Sequence, residues 1–123
     1  MGIDPIKVAI ATTGSSGSAT GTVVVPLPPC ELLAVFVDFG AAPSTTDTTF
    51  KAIGGEIADN TILTLTNSNS DAWYFPGEQV DDNTGSAVTG AYRHPLIHNN
   101  LSIDIAQADA LSPCLTVYLF VRI

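Results

Sequence analysis

Apolar and polar residues alternate with a period of two along much of this chain, the spacing that puts one face of a β-strand against a core and the other in water. In Leu101 to Ala106, LSIDIA, the residues Leu101, Ile103 and Ile105 share one face and Ser102, Asp104 and Ala106 the other. Ile62 to Thr66, Lys7 to Ala11 and Thr22 to Val25, the last stopped by Pro26, are shorter candidates of the same kind. Two longer runs are apolar on both faces: Glu31 to Phe39, ELLAVFVDF, and Cys114 to Ile123, CLTVYLFVRI. Such runs suit central strands covered on two sides. One side is expected to face the core and the other a second subunit. The two runs echo each other, LPPCELLAVFV against LSPCLTVYLFV, but five matches in eleven positions are what two buried strands begun by proline would share. If these strands are neighbours, Cys30 and Cys114 at their starts could lie close together.

Turn chemistry separates the segments. Gly14 to Gly21 (GSSGSATG) is a loop or hairpin tip, Gly40 to Ser44 a corner, Gly54-Gly55 and Asn67 to Asp71 turns, and Asp81 to Gly90 a longer polar loop. No stretch has helical period, although Ala106 to Leu111 has room for one turn. The pattern predicts an all-β protein: about eight short strands in one domain over residues 1–123, arranged as an antiparallel β-sandwich or a jelly-roll-like barrel. Met1 to Ile6 is expected to be a flexible N-terminal arm.

Composition adds a question about the surface. Hydrophobic residues make up 46% of the chain and charged residues 13%, about half the usual charged share. Thr, Ser and Asn supply the polarity, which suits pleated structure and also a surface that partner chains will cover. Twelve acidic and four basic residues give a net charge of −8. With Lys7, Lys51, Arg93 and Arg122 scattered singly, no basic patch exists in sequence to meet nucleic acid or an anionic membrane. No apolar run approaches the roughly 20 residues of a membrane span, and the N-terminus lacks a signal-peptide pattern. The expectation is a soluble protein assembled in the cytosol. Cys30 and Cys114 lack the paired spacing of a zinc site and are expected to be buried, unpaired thiols.

Candidate chemistry is sparse. Asp38-Phe39-Gly40 matches the magnesium-binding triplet of protein kinases, but the chain has no Gly-rich loop and no His-Arg-Asp loop, so the triplet reads as a strand turning a corner. His94 and His98 are four apart like a zinc-helix pair, yet Pro95 between them forbids the helix. Asp81-Asp82-Asn83 lacks the spacing of a calcium loop and reads as an acidic turn. No nucleophile elbow and no phosphate cradle are present, so neither catalytic residues, metal nor cofactor is expected. The aromatic run Trp73-Tyr74-Phe75 is the most distinctive stretch. Alternation is expected to turn Trp73 and Phe75 inward and Tyr74 outward, with Phe36, Tyr118 and Phe120 on the double-faced strands as further core or interface residues.

The strings DFGAAPSTTDTTF, TILTLTNSNSDAWYFPG, VDDNTGSAVTGAYRHPLIHNNLSIDIAQADA and LTVYLFV together resemble small proteins encoded among the head genes of tailed bacteriophages, a family that includes capsid decoration, or cement, proteins. The resemblance runs from about Val35 to the C-terminus and rests on strands and turns, without a catalytic motif. It implies a non-enzymatic virion protein that binds the exterior of the capsid across capsomers of the major capsid protein, as a homotrimer. Candidate partner contacts are then Ile3 and Ile6 in the N-terminal arm, the outward Tyr74, and Asp81 and Asp82. A carbohydrate-binding module, or a tail or spike β-module, is the alternative, and would need Trp73 or Tyr74 exposed in a groove beside Asp, Asn or Gln.

Overall fold

The computed structural model describes residues 5–123. Its strands in chain order are β1 (Pro5–Ile10), β2 (Ala19–Pro26), β3 (Cys30–Asp38), β4 (Asp47–Ile53), β5 (Asn60–Leu65), β6 (Ala72–Tyr74), β7 (Glu78–Asp81), β8 (Ala87–Arg93), β9 (Leu96–Ile97), β10 (Asn100–Ala108) and β11 (Leu115–Arg122), with no helix among the described residues. Eight of them form two antiparallel sheets, β1-β11-β3-β6 and β2-β10-β4-β5, and the short β9 also pairs with β3. The first four strands alternate between the sheets, and so do β10 and β11. That order is a jelly roll, two Greek keys wound together. The all-β sandwich expected from the alternation is what forms.

The core lies between the two sheets. Val117 and Leu119 of β11, Leu32, Val35 and Val37 of β3 and Ile10 of β1 meet Leu101, Ile103 and Ile105 of β10 and Phe50 of β4, all buried in one cluster. Burying a side chain of this size is worth roughly 1.5–3 kcal/mol against leaving it in water. The LSIDIA alternation therefore reports the true inner face of β10. Past Ile105 the register shifts through a bulge, with Gln107 at φ +53°, and the strand continues to Ala108. Ala106 to Leu111 is thus partly strand, and the helical turn is not formed.

Other expectations are corrected. Pro5 and Ile6 belong to β1, with Ile6 opposite Leu119 and packed against the core, so residue 6 is no part of a flexible arm. Pro5 lacks an N–H and sits at the first position of an edge strand, where none is needed. Ile3 lies outside the described residues. β3 and β11 are neighbours, the condition under which Cys30 and Cys114 could lie close together, but they run antiparallel. Their starts fall at opposite ends of the sheet: Cys30 pairs with Ile97, whereas Cys114 lies beside Gly40 just beyond the other end of β3. Both thiols are buried and free. One strand and one hairpin stand out among the elements that the alternation does not predict. β4, DTTFKAI, puts Thr48, Phe50 and Ala52 inward, and the polar loop from Asp81 is the tip and second arm of a hairpin, β7-β8.

The Asp38-Phe39-Gly40 corner is built by hydrogen bonds. Phe39 is fully buried, and its N–H donates to Asp71 Oδ1 at 2.8 Å. Gly40 turns the chain with φ +52°, a conformation other residues adopt at a cost, and its N–H donates to the Asp38 carboxylate at 3.3 Å. The Asp38 side chain closes the turn that ends the strand.

Candidate functional site: an aromatic outer face

The outer face of the first sheet is where the sequence and the fold part company with an ordinary soluble surface. Register across four strands sets Lys7 beside Tyr118, Tyr118 beside Phe36 and Phe36 beside Trp73. Val35, next to Phe36, is fully buried and lies opposite Tyr74. Tyr74 therefore points inward and packs against the core, while Trp73 and Phe75 point out, 53% and 73% exposed. This reverses the expected orientation of all three residues. Where consecutive aromatics begin in a three-residue strand and run on past its end, the partner strand decides which parity is buried.

Five aromatic rings form a continuous patch. Phe36 lies 5.2 Å from Trp73 and 6.2 Å from Tyr118, centroid to centroid. Trp73 is 5.3 Å from Phe120 and 6.1 Å from Phe75, with the last pair nearly parallel at 11°. These are ordinary distances for attractive aromatic pairs. Ala34 faces the same side, opposite Phe120, and its small side chain is only 7% exposed, which leaves room for the rings around it. A bulge between Phe120 and Val121 leaves Leu33 as the extra residue of β3, so that the parity of the apolar run changes there without loss of burial on the inner face. This is how both faces of ELLAVFVDF come to be apolar.

Beside the patch, at the base of the hairpin, a cleft of about 300 Å³ is lined by Leu33, Phe75, Pro76, Tyr92, Arg93 and His94. It forms because the chain leaves β3's edge after β6, runs out through β7 and β8, and returns to the same edge as β9, with Leu32 N–H donating to Pro95 O at 3.0 Å. Sequence reasoning gave Tyr92 no role. His98 is half-buried, with Nε2 3.1 Å from Gly54 O, so the two histidines have separate surroundings. Among the described residues no cluster of His, Cys, Asp and Glu is placed to hold a metal ion.

The hairpin is all surface: every residue from Asp81 to Gly90 is exposed. Its turn is held by Asp82, whose Oδ1 accepts from Thr84 Oγ1 at 2.7 Å and from the N–H groups of Thr84 and Ser86 at 2.8 and 3.1 Å. Those bonds, the Thr84 hydroxyl first, hold the Asp82 carboxyl below its usual range. Asp82 is thus a turn-former, and Asp81, in β7, is the more available of the two acids. Near the base of the hairpin, where Glu31 pairs with Leu96 and feels Arg93 and His94, Arg122 donates to Glu31 Oε1 at 2.9 Å from Nη2 and 3.1 Å from Nε, and this bond lowers the Glu31 pKa.

Comparison with family models, with curated proteins and with solved structures gives no match.

Proposed function

We propose that this chain is a structural subunit of a bacteriophage virion, a decoration or cement protein that self-associates through the aromatic face of its first sheet and binds the outside of the capsid across capsomers. The five-ring patch carries the reading. It offers on the order of 400 Å² of apolar surface, the size at which an exposed patch on a single chain is commonly a contact site. Trp and Tyr are also the residues that most often dominate interface energies. The jelly roll is an architecture used by viral shell and lectin domains, and the sequence resembles phage head proteins from about Val35 onward. A trimer is the expected assembly, and contact area across capsomer seams is the expected mechanism, with no bond made or broken. The major capsid protein would be the second partner.

The test is co-expression with the major capsid protein of a candidate phage, followed by sedimentation. Migration with assembled shells supports the reading; a protein left at the top of the gradient while shells form contradicts it. A second reading, a carbohydrate-binding module, draws on the near-parallel, exposed Trp73 and Phe75 beside the hairpin cleft. The side chains with polar groups lining that cleft are Tyr92, Arg93 and His94, with no Asp, Asn or Gln, so the groove a neutral sugar needs is incomplete. Retention on a glycan array that disappears with Trp73→Ala would favour this second reading.

A further inference from the structure

The aromatic stripe ends differently at the two edges of its sheet. At the β1 edge stands Lys7, exposed, in register with Tyr118 and in no ion pair among the described residues. At the β6 edge the chain runs out into the β7-β8 hairpin, which carries Asp81 and Asp82 near its tip and exposes Val80, Val88 and Tyr92. An isolated two-stranded hairpin is marginal in water, and this one pairs with neither sheet. Opposite edges of one molecule thus present an acidic, partly apolar arm and a lysine bordering an aromatic surface.

We propose that the hairpin of one copy crosses the β1 edge of the next and lies on its aromatic stripe, with Asp81 against Lys7. This rests on the self-association proposed above and specifies its geometry. The dimensions agree: the hairpin reaches roughly 15–20 Å beyond its base, and a face of four strands is roughly 15 Å wide. A stable interface buries about 800 Å² on each partner, about twice what the aromatic patch offers. In a closed ring each copy makes two contacts, its stripe covered by one neighbour and its own hairpin, with Val80, Val88 and Tyr92, seated on the other, so the area buried per copy comes to about 800 Å². Charge sets the direction. In a chain of net charge −8 two copies repel in most orientations, and an acid-to-lysine contact beside an uncharged aromatic surface selects one of them. Because the two surfaces differ, the contact is head-to-tail and closes into a ring when the rotation allows, as in a trimer.

The experiment uses the full chain made in ordinary and in heavy-nitrogen form, mixed, dissociated and reassembled, then treated with a carbodiimide that joins amine to carboxylate without a spacer. Lys7 and Lys51 are the two lysines of the sequence, and Lys51 already sits 3.5 Å from Asp104, which makes the products easy to assign. Cross-links joining light Lys7 peptides to heavy Asp81 or Asp82 peptides are expected. In parallel, Lys7→Glu and Asp81→Lys should each weaken assembly about tenfold, and the double variant should recover to within about twofold of the parent. An oligomer with no mixed Lys7 link, or with reversals that add instead of compensating, overturns this inference and leaves self-association standing. A chain that stays monomeric overturns both.

Discussion

The two sheets share an inner pattern and differ on the outside. Behind the Leu101, Ile103 and Ile105 face of β10, the outer surface of the second sheet carries Thr22, Asp104, Thr49, Ser102 and Lys51, with Val24 its one large exposed apolar side chain: Thr22 Oγ1 donates to Asp104 at 2.9 Å, and Lys51 lies 3.5 Å from the same carboxylate. Behind Val117 and Leu119 of β11, the first sheet shows Tyr118, Phe120, Phe36 and Trp73. One outer face satisfies its polar groups within the chain and is finished in water. The other leaves aromatic area that water solvates poorly. Equal inner faces make the fold; the unequal outer faces set the aromatic side apart as the surface on which the proposed self-association rests.

That contrast can be broken in order of effect. Leu119→Ala, on the inner side of β11, is expected to cost about 2–5 kcal/mol in urea unfolding, since it opens a cavity in the shared core. Its neighbour on the patch behaves differently. Trp73→Ala is expected to weaken self-association by about 2 kcal/mol, some thirtyfold, while the β-sheet circular dichroism of the chain is retained. Should Trp73→Ala unfold the chain as Leu119→Ala does, the patch is part of the core and the contrast fails. Acid comes next. Glu31 and Asp82 have folded-state pKa values lowered by Arg122 and by the Thr84–Ser86 turn. The stability they contribute is therefore complete above the ordinary carboxylate range, from about pH 5 upward, and lost as pH falls through their lowered folded-state values. Unfolding followed from pH 6 down to pH 2 should show this loss, reduced in Glu31→Gln and Asp82→Asn. Thiol chemistry divides inner from outer surface without a mutation. Burial pushes Cys30 and Cys114 up, so both stay protonated and covered at pH 8. A thiol reagent should label neither in the native protein and both in denaturant. The smallest effect belongs to the polar face: Thr22→Ala should change stability by less than about 1 kcal/mol and leave the assembled mass unchanged.

The inner half of this contrast was legible in the sequence, and the outer half only in part. LSIDIA and the two double-faced runs report burial directly, because period-two spacing maps onto faces without knowledge of the partner strand. β4 was hidden because Thr48 takes a buried position where the pattern expects an apolar residue. The hairpin was hidden for a different reason: with no buried face, it has no alternation to display. Phe36, Tyr118, Phe120, Trp73 and Phe75 are all expected from the sequence to be core or interface residues. Which side of the sheet they face depends on register, since Trp73 can be placed outward only by knowing that it lies opposite Phe36 and that Tyr74 lies opposite the buried Val35. Tyr92 and the cleft it lines came from the path of the chain, which leaves and rejoins one strand edge at positions distant in sequence.

The most direct test of the aromatic face as a contact between copies is the solution mass of the purified chain, by light scattering behind a sizing column at micromolar concentration. A stable multiple of 12.8 kDa, threefold for the closed ring, that collapses to the single-chain mass in Trp73→Ala is the predicted result. A parent chain that elutes as a monomer across the accessible concentration range would contradict it.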